Sequence, residues 1–110
     1  MIKRNIANLE EIEAILPKSL RVSCGQALSD AYSIELKRLE DYAQGMEEGE
    51  IYLGKPELFG AQWICDFSVS DFGKQYNPDS FNWHLQNTSQ WRYAGCIAVS
   101  NDTGEVSRHH

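Results

Sequence analysis

The stretch that decides the fold is Gln26–Met46, QALSDAYSIELKRLEDYAQGM. Its apolar side chains recur at spacings of three and four residues, which places them on one face of an α-helix. These side chains are Leu28, Tyr32, Leu36, Leu39, Tyr42, Ala43 and Met46. Charged side chains occupy the opposite face: Asp30, Glu35, Lys37, Arg38, Glu40, Asp41, Glu47 and Glu48. The stretch therefore predicts a long amphipathic helix that ends near Gly45 or Gly49.

A shorter helix is predicted on the N-terminal side of this stretch. Asn8 is followed three residues later by Glu11, the pattern of a capping box at a helix start. The apolar face of this helix consists of Leu9, Ile12, Ile15 and Leu16. Pro17 ends the helix because proline cannot continue the hydrogen-bond ladder. The next segment, Leu20–Cys24, alternates apolar and polar residues, which fits either a short strand or a connector.

On the C-terminal side, the apolar period changes from helical to alternating. Gln62–Ser70 predicts one half-buried strand, and Trp91–Val99 predicts a second. Asn101–Gly104 is a turn sequence, so Glu105–Arg108 is expected to return as the partner strand of a hairpin. A short helix after Asn77 is a further expectation.

Helices that precede a group of strands indicate an α+β fold. We expect one domain, residues 1–110, with the N-terminal helices packed on one face of a small antiparallel sheet that ends in a C-terminal hairpin. The long apolar stripe would cover the face of the first strand that carries Trp63, Cys65 and Phe67.

Composition narrows the class of function. The 110 residues include sixteen acids and ten bases, a net charge of −6, which argues against direct nucleic-acid binding. No apolar run approaches the roughly 20 residues that span a bilayer. The cysteines Cys24, Cys65 and Cys96 are odd in number and widely spaced, so a reduced, soluble, cytoplasmic protein is expected. Neither a cofactor nor a metal site is predicted, because no Cys or His pair has the local spacing of zinc ligands.

The acidic residues are unevenly distributed. Glu40, Asp41 and the run Glu47-Glu48-Gly49-Glu50 concentrate negative charge at the end of the long helix. One interpretation is a surface that captures a basic protein, since complementary charge raises association rates. The alternative is a solvated helix face.

Aromatic residues interrupt a polar, amide-rich segment in the second half. Trp83 lies within this segment and Trp91 directly after it, and tryptophan often anchors protein interfaces. The alternative is a packed irregular loop with aromatic plugs.

Two pieces of the second half, Gln62–Phe67 and Gly95–Val106, resemble a pattern in small bacterial immunity proteins of polymorphic-toxin and contact-dependent growth inhibition systems. The resemblance covers strand and hairpin positions and carries over no site residues. It implies a cytoplasmic inhibitor, not an enzyme, that binds and neutralises a cognate toxin. Many such toxins are basic nucleases. Charge and aromatic placement name the candidate contacts: Glu40, Asp41, Glu47, Glu48, Glu50, Trp83 and Trp91.

Two other functions stay open at this point. A small enzyme or ligand-binding domain would depend on His84, the one internal histidine, with Asp66, Asp71 or Asp79 as its partner. A self-associating accessory protein would use exposed aromatic residues, and the oligomeric state is not predicted. His109 and His110 are left out of the functional interpretation, because they fit either a native tail or a purification-tag remnant.

Overall fold

The computed structural model describes residues 2–45, 48–70 and 91–110, and for residues 91–93 the backbone alone. The elements in chain order are β1 (Ile2–Ile6), α1 (Leu9–Ile15), α2 (Lys18–Gln44), β2 (Gly49–Leu53), β3 (Glu57–Phe59), β4 (Gln62–Ser70), β5 (Trp91–Ser100) and β6 (Val106–His109).

The strands form one six-stranded sheet in the order β1-β2-β4-β5-β6, and β3 pairs with β4 on the same side as β2. All pairs are antiparallel except β1 with β2, which is parallel. The expectation of an antiparallel sheet was therefore wrong in this detail, because the sequence patterns do not predict β1, β2 or β3. β1 is an edge strand with the sequence IKRNI, too short and too polar for a recognisable alternation.

Both helices lie on one face of this sheet, which confirms the α+β class. α2 crosses the sheet and buries a stripe at spacings of three and four: Leu20, Cys24, Leu28, Ala31, Glu35, Leu39 and Ala43. The sheet side of the core is formed by Ile51, Leu53, Cys65, Phe67, Val69, Ile97 and Val99. Trp63 packs against the edge of this cluster, so the predicted contact between the stripe and the first strand is confirmed for Leu28, Leu39 and Ala43, whereas Tyr42 is 42% exposed and Met46 lies outside the described residues.

The capping box of α1 is confirmed atom by atom. The Asn8 side-chain oxygen accepts from the backbone N–H of Glu11 at 2.8 Å, and the Glu11 carboxylate accepts from the backbone N–H of Asn8 at 3.2 Å. Leu16 caps the other end, directly before Pro17. Arg21 of α2 then donates to the carbonyl of Leu16 at 2.9 Å and ties the two helices together.

The long helix begins earlier than expected. α2 starts at Lys18, so Leu20–Cys24 is helical and neither a strand nor a connector. Leu20 and Cys24 continue the four-residue spacing of the stripe, whereas Val22 between them is 84% exposed. The end at Gly45 is as predicted.

The C-terminal strands are confirmed. β4 pairs with β5 through Trp63 opposite Val99 and Cys65 opposite Ile97, and β5 returns into β6 through the predicted turn. The register shifts between Phe67 and Ser68, which marks a β-bulge. The short helix expected after Asn77 lies outside the described residues.

The stripe of α2 contains one ionisable residue that the sequence pattern placed in solvent. Glu35 is 0% exposed. Its carboxylate accepts a hydrogen bond from Arg38 Nε at 2.8 Å. The same carboxylate lies 3.3 Å from Nη1 of Arg108 and 2.6 Å from Nε2 of His110. Arg38 also donates to the Ala94 carbonyl at the bulge, so this cluster joins α2 to β5 and β6.

The pKa of Glu35 is lowered in this cluster. Burial alone would raise the pKa, but the hydrogen bonds from His110 and Arg38 and the charge of Arg38 outweigh it. The unfolded chain therefore takes up a proton on Glu35 at a higher pH than the folded chain does. The stability that this carboxylate contributes is complete above its ordinary pKa of 4.5 and is lost as the pH falls through the folded value.

This linkage predicts a difference between the protein and its Glu35→Gln variant in acid. Between about pH 5 and about pH 3, the free energy of unfolding of the unmodified protein is expected to fall more steeply. Urea denaturation at a series of pH values measures this. Parallel pH profiles for the two proteins would contradict the assignment.

Candidate protein-binding surfaces

The acids predicted near the end of α2 are largely engaged within the chain. Both carboxylate oxygens of Glu40 accept from Nε of Arg4 on β1, at 2.9 and 3.0 Å. Asp41 accepts from Nζ of Lys37, one turn earlier on α2, at 3.1 Å. Each of these carboxylates therefore has its charge compensated by a neighbouring cation, which weakens the field that a partner would meet.

The acidic run that follows α2 is only partly available. Glu50 lies on β2 opposite Lys3, is 8% exposed, and has Nζ of Lys3 at 3.4 Å from its carboxylate. Glu48 is exposed and has no ion pair among the described residues. Glu47 lies outside the described residues. Glu48 is thus the described member of the predicted set whose charge is uncompensated.

The predicted tryptophan anchors stay predictions. Trp83 lies outside the described residues, as do His84, Asp71 and Asp79. Trp91 is the first residue of β5, where its backbone pairs with Ser70 of β4, and its side chain is not described.

A second surface lies where two hairpin turns meet at one end of the sheet. The backbone N–H of Asn101, after β5, donates to the carbonyl of Ala61, before β4, at 2.8 Å. The indole N–H of Trp63 donates to the Asn101 side chain at 3.0 Å. The backbone N–H of Ser100 donates to the backbone carbonyl of Glu105 at 2.9 Å and closes the second turn. Hydrogen bonds therefore hold the two turns together as one unit.

This end of the sheet carries exposed apolar side chains among uncompensated acids. Leu58 is 48% exposed and Phe59 is 58% exposed, both on β3. Glu57 precedes them, and Asp102 and Glu105 extend from the adjoining turn. All three carboxylates are exposed and have no ion pair within the described residues. These five residues are called the hairpin surface below.

The distribution of ion pairs shows which acids carry the uncompensated negative charge of the protein. Most of the described bases are ion-paired with carboxylates of the same chain: Lys3, Arg4, Lys37, Arg38, Lys55 and Arg108. Arg21 donates to backbone carbonyls, and Lys18 is the described cation without either kind of partner. The described acids without an ion pair are Glu10, Glu13, Asp30, Glu48, Glu57, Asp66, Asp102 and Glu105.

Sequence patterns predicted the acid excess but not the hairpin surface. The signal that could have revealed it is the pair Leu58-Phe59 directly before Gly60, which has a φ of +60° and forms the tight turn into β4. A pair of large apolar residues beside a turn glycine indicates a hairpin tip.

An open cleft borders the hairpin surface. It has a volume of about 610 Å³ and lies between α1 and the β2–β3 connection, with Asn5, Glu11, Tyr52, Lys55 and Glu57 among its lining residues. Lys55 and Glu11 face each other across it at 3.4 Å. Because Lys55 and Glu11 neutralise each other, the lining charge that remains is that of Glu57.

The three cysteines are buried thiols. Burial raises the pKa of the Cys65 thiol to about 12, so it is not a thiolate nucleophile at neutral pH. Cys24 and Cys96 are also buried free thiols. Asp66 is exposed on the sheet face away from the helices. Within residues 2–45, 48–70 and 91–110, no group of His, Cys, Asp and Glu is arranged to hold a metal ion.

Comparison of the chain with protein-family models, with curated proteins and with solved structures gives no match. The likeness to immunity proteins therefore rests on residues 62–67 and 95–106 alone. In the part of the chain that the structure describes, no helix has the length and apolar character needed to cross a bilayer.

Proposed function

We propose that this protein is a cytoplasmic inhibitor of the immunity type, which binds a basic toxin domain and covers its active surface. The observation that carries the proposal is the pattern of charge pairing. Apart from Lys18, the bases whose side chains the structure describes are engaged in ion pairs or backbone contacts, so the acids left over, including Glu48, Glu57 and Glu105, face solvent without compensation.

Such a surface suits capture of a basic protein. Uncompensated carboxylates attract a positive partner over about a Debye length, roughly 8 to 10 Å at moderate salt, and so raise the association rate. A toxin that acts on nucleic acid, as a nuclease does, carries a basic active surface because it must bind phosphates. An acidic inhibitor competes directly for that surface and needs no catalysis of its own.

The experiment that tests the function is a pull-down from the native source, with this chain as bait and washes at low and high salt. We expect one basic protein in stoichiometric amount, identified by mass spectrometry, whose toxicity disappears when this chain is co-expressed. A failure to retain any basic protein at either salt, or unchanged toxicity, would contradict the proposal.

Charge reversal gives a quantitative prediction. The variant with Glu48→Lys, Glu57→Lys and Glu105→Lys is expected to associate with the captured partner about tenfold more slowly at low salt, with a flatter salt dependence. Stopped-flow or surface-plasmon measurements of the association rate at several salt concentrations check this.

The matched control for charge reversal is Lys18→Glu, which adds an acid at the described cation that has no partner. It is expected to leave the association rate unchanged or to raise it. If the reversal variant and the Lys18→Glu variant slow association equally, general perturbation and not the sign of the charge is responsible.

A further inference from the structure

We propose that the hairpin surface is where the partner docks, through an extended basic segment with apolar side chains that lies along β3. This inference rests on the proposed function and names its contact surface. The proposed occupant is a basic partner protein, not a second copy of this chain.

The first argument is the exposed edge of β3. In the part of the chain that the structure describes, β3 pairs only with β4, so its other edge presents backbone groups to solvent. Leu58 lies opposite Trp63 and Phe59 opposite Gln62, so the two apolar side chains project to opposite faces of the sheet. A segment added along this edge would find an apolar contact on each face, as in strand addition.

The second argument is the sign of the surrounding charge. Glu57 lies on β3 itself, and Asp102 and Glu105 lie on the turn that is hydrogen-bonded to the β3–β4 turn. The nearest lysine in sequence, Lys55, is ion-paired with Glu11. Lysine or arginine beside the apolar side chains of a partner would therefore be attracted, and a second copy of this acidic surface would be repelled.

The third argument is that the surface is already formed. Gly60 and Gly104 have φ values of +60° and +76°, which fix the two turns, and Asn101 joins them through its backbone and side chain. Ser23 of α2 packs against Gly104 and supports the turn from below. A preformed surface loses little conformational entropy on binding, so its contacts contribute more fully to affinity.

Among the described residues, the acids near the end of α2 are less available than those of the hairpin surface. Glu40, Asp41 and Glu50 are each engaged by a cation of the same chain, and a partner would have to displace Arg4, Lys37 or Lys3. Tyr42 is 42% exposed there, but it lies beside the ion-paired Asp41, whereas the hairpin surface places exposed apolar side chains beside acids without an ion pair.

The test uses NMR of the isotope-labelled protein with two probes, a short synthetic peptide of alternating lysine and leucine and an oligolysine of equal length. With the lysine–leucine peptide, we expect saturable amide shifts concentrated in residues 57–63 and 101–105. With oligolysine, the shifts should be weaker and dispersed. Equal shifts with both probes, or shifts centred on residues 40–50, would overturn the proposal.

Two variants separate a specific surface from general stickiness. Leu58→Ser with Phe59→Ser is expected to weaken binding of the lysine–leucine peptide by about tenfold or more. Ile34→Ser is the matched control, because Ile34 is 49% exposed on α2, away from the hairpin surface, and should bind as the unmodified protein does. Both sites are exposed, so both variants are expected to fold.

Further outcomes distinguish the occupants and the two proposals. Shifts at residues 57–63 that grow with protein concentration, without peptide, would assign the surface to a second copy and overturn the inference. If the pull-down fails but the peptide binds at β3, the proposed function fails and the docking surface stands. If the captured toxin binds the Leu58→Ser, Phe59→Ser variant with unchanged affinity, the surface proposal fails and the function stands.

Discussion

Replacement of Glu35 by alanine is expected to lower the free energy of unfolding by about 3 kcal/mol. The carboxylate is fully buried and holds the guanidinium groups of Arg38 and Arg108 between α2 and the last strands. Without it, Arg38 stays largely buried over the Phe67 ring with its charge uncompensated. Urea denaturation at neutral pH measures the loss.

The matched control for this prediction is Glu40→Ala, which removes an ion pair of similar length on the same helix. The pair between Glu40 and Arg4 is exposed to water, so its loss should cost no more than about 1 kcal/mol. Equal losses for Glu35→Ala and Glu40→Ala would show that burial of the Glu35 cluster does not matter to stability.

Replacement of Gly95 by alanine is expected to destabilise the protein by about 2 to 3 kcal/mol. Gly95 lies at the bulge of β5 with a φ of +139°, a conformation that residues with a side chain rarely adopt. An added Cβ would lie 2.5 Å from the carbonyl oxygen of His109 and 2.9 Å from both Nη2 of Arg38 and a ring carbon of Phe67. Thermal or urea denaturation would register the loss, together with weaker protection of β6 amides from exchange.

Gly25→Ala is the matched control for this substitution. Gly25 lies inside α2, and no atom outside its own helical turn comes within 4 Å of an added Cβ. Alanine favours the helix over glycine, so a gain of up to about 1 kcal/mol is expected. If Gly95→Ala lowered the free energy of unfolding no more than Gly25→Ala does, the close contacts assigned to Gly95 at the bulge would be contradicted.

These two positions bear on binding as well as stability. Glu35 and Gly95 hold β5 against α2 and β6, and β5 leads into the turn that carries Asp102 and Glu105. Binding measurements on variants of Glu35 or Gly95 therefore need a check that the chain is folded. The Leu58 and Phe59 variants change exposed side chains and are expected to stay folded.

Local patterns were sufficient for part of the fold. The capping box of α1 depends on Asn8 and Glu11, three residues apart, and both of its hydrogen bonds are present. The alternation in Gln62–Ser70 predicted β4 because one face of that strand is buried by the helices and the other is not. Such features depend on neighbours in sequence, which is why a sequence reveals them.

Other elements depend on distant neighbours. β2 is nearly continuous in its burial and so shows no alternation, and β1 is an edge strand with few apolar residues. Glu35 occupies a position of the apolar stripe. Its carboxylate is compensated there by Arg38 and by Arg108, which is 73 residues away. Arg38 in turn donates to the Ala94 carbonyl. The charge of its side chain alone would assign Glu35 to the solvent face.

The sequence by itself determined the α+β class, the long helix, the C-terminal strands and the excess of acid. The tertiary structure alone decided which acids remain uncompensated. Glu40 is engaged by Arg4, 36 residues earlier, while Asp102 and Glu105 have no cation beside them in the described chain. The physical reason is that charge composition is fixed residue by residue, whereas compensation depends on which segments the sheet and helices bring within a few ångströms of each other.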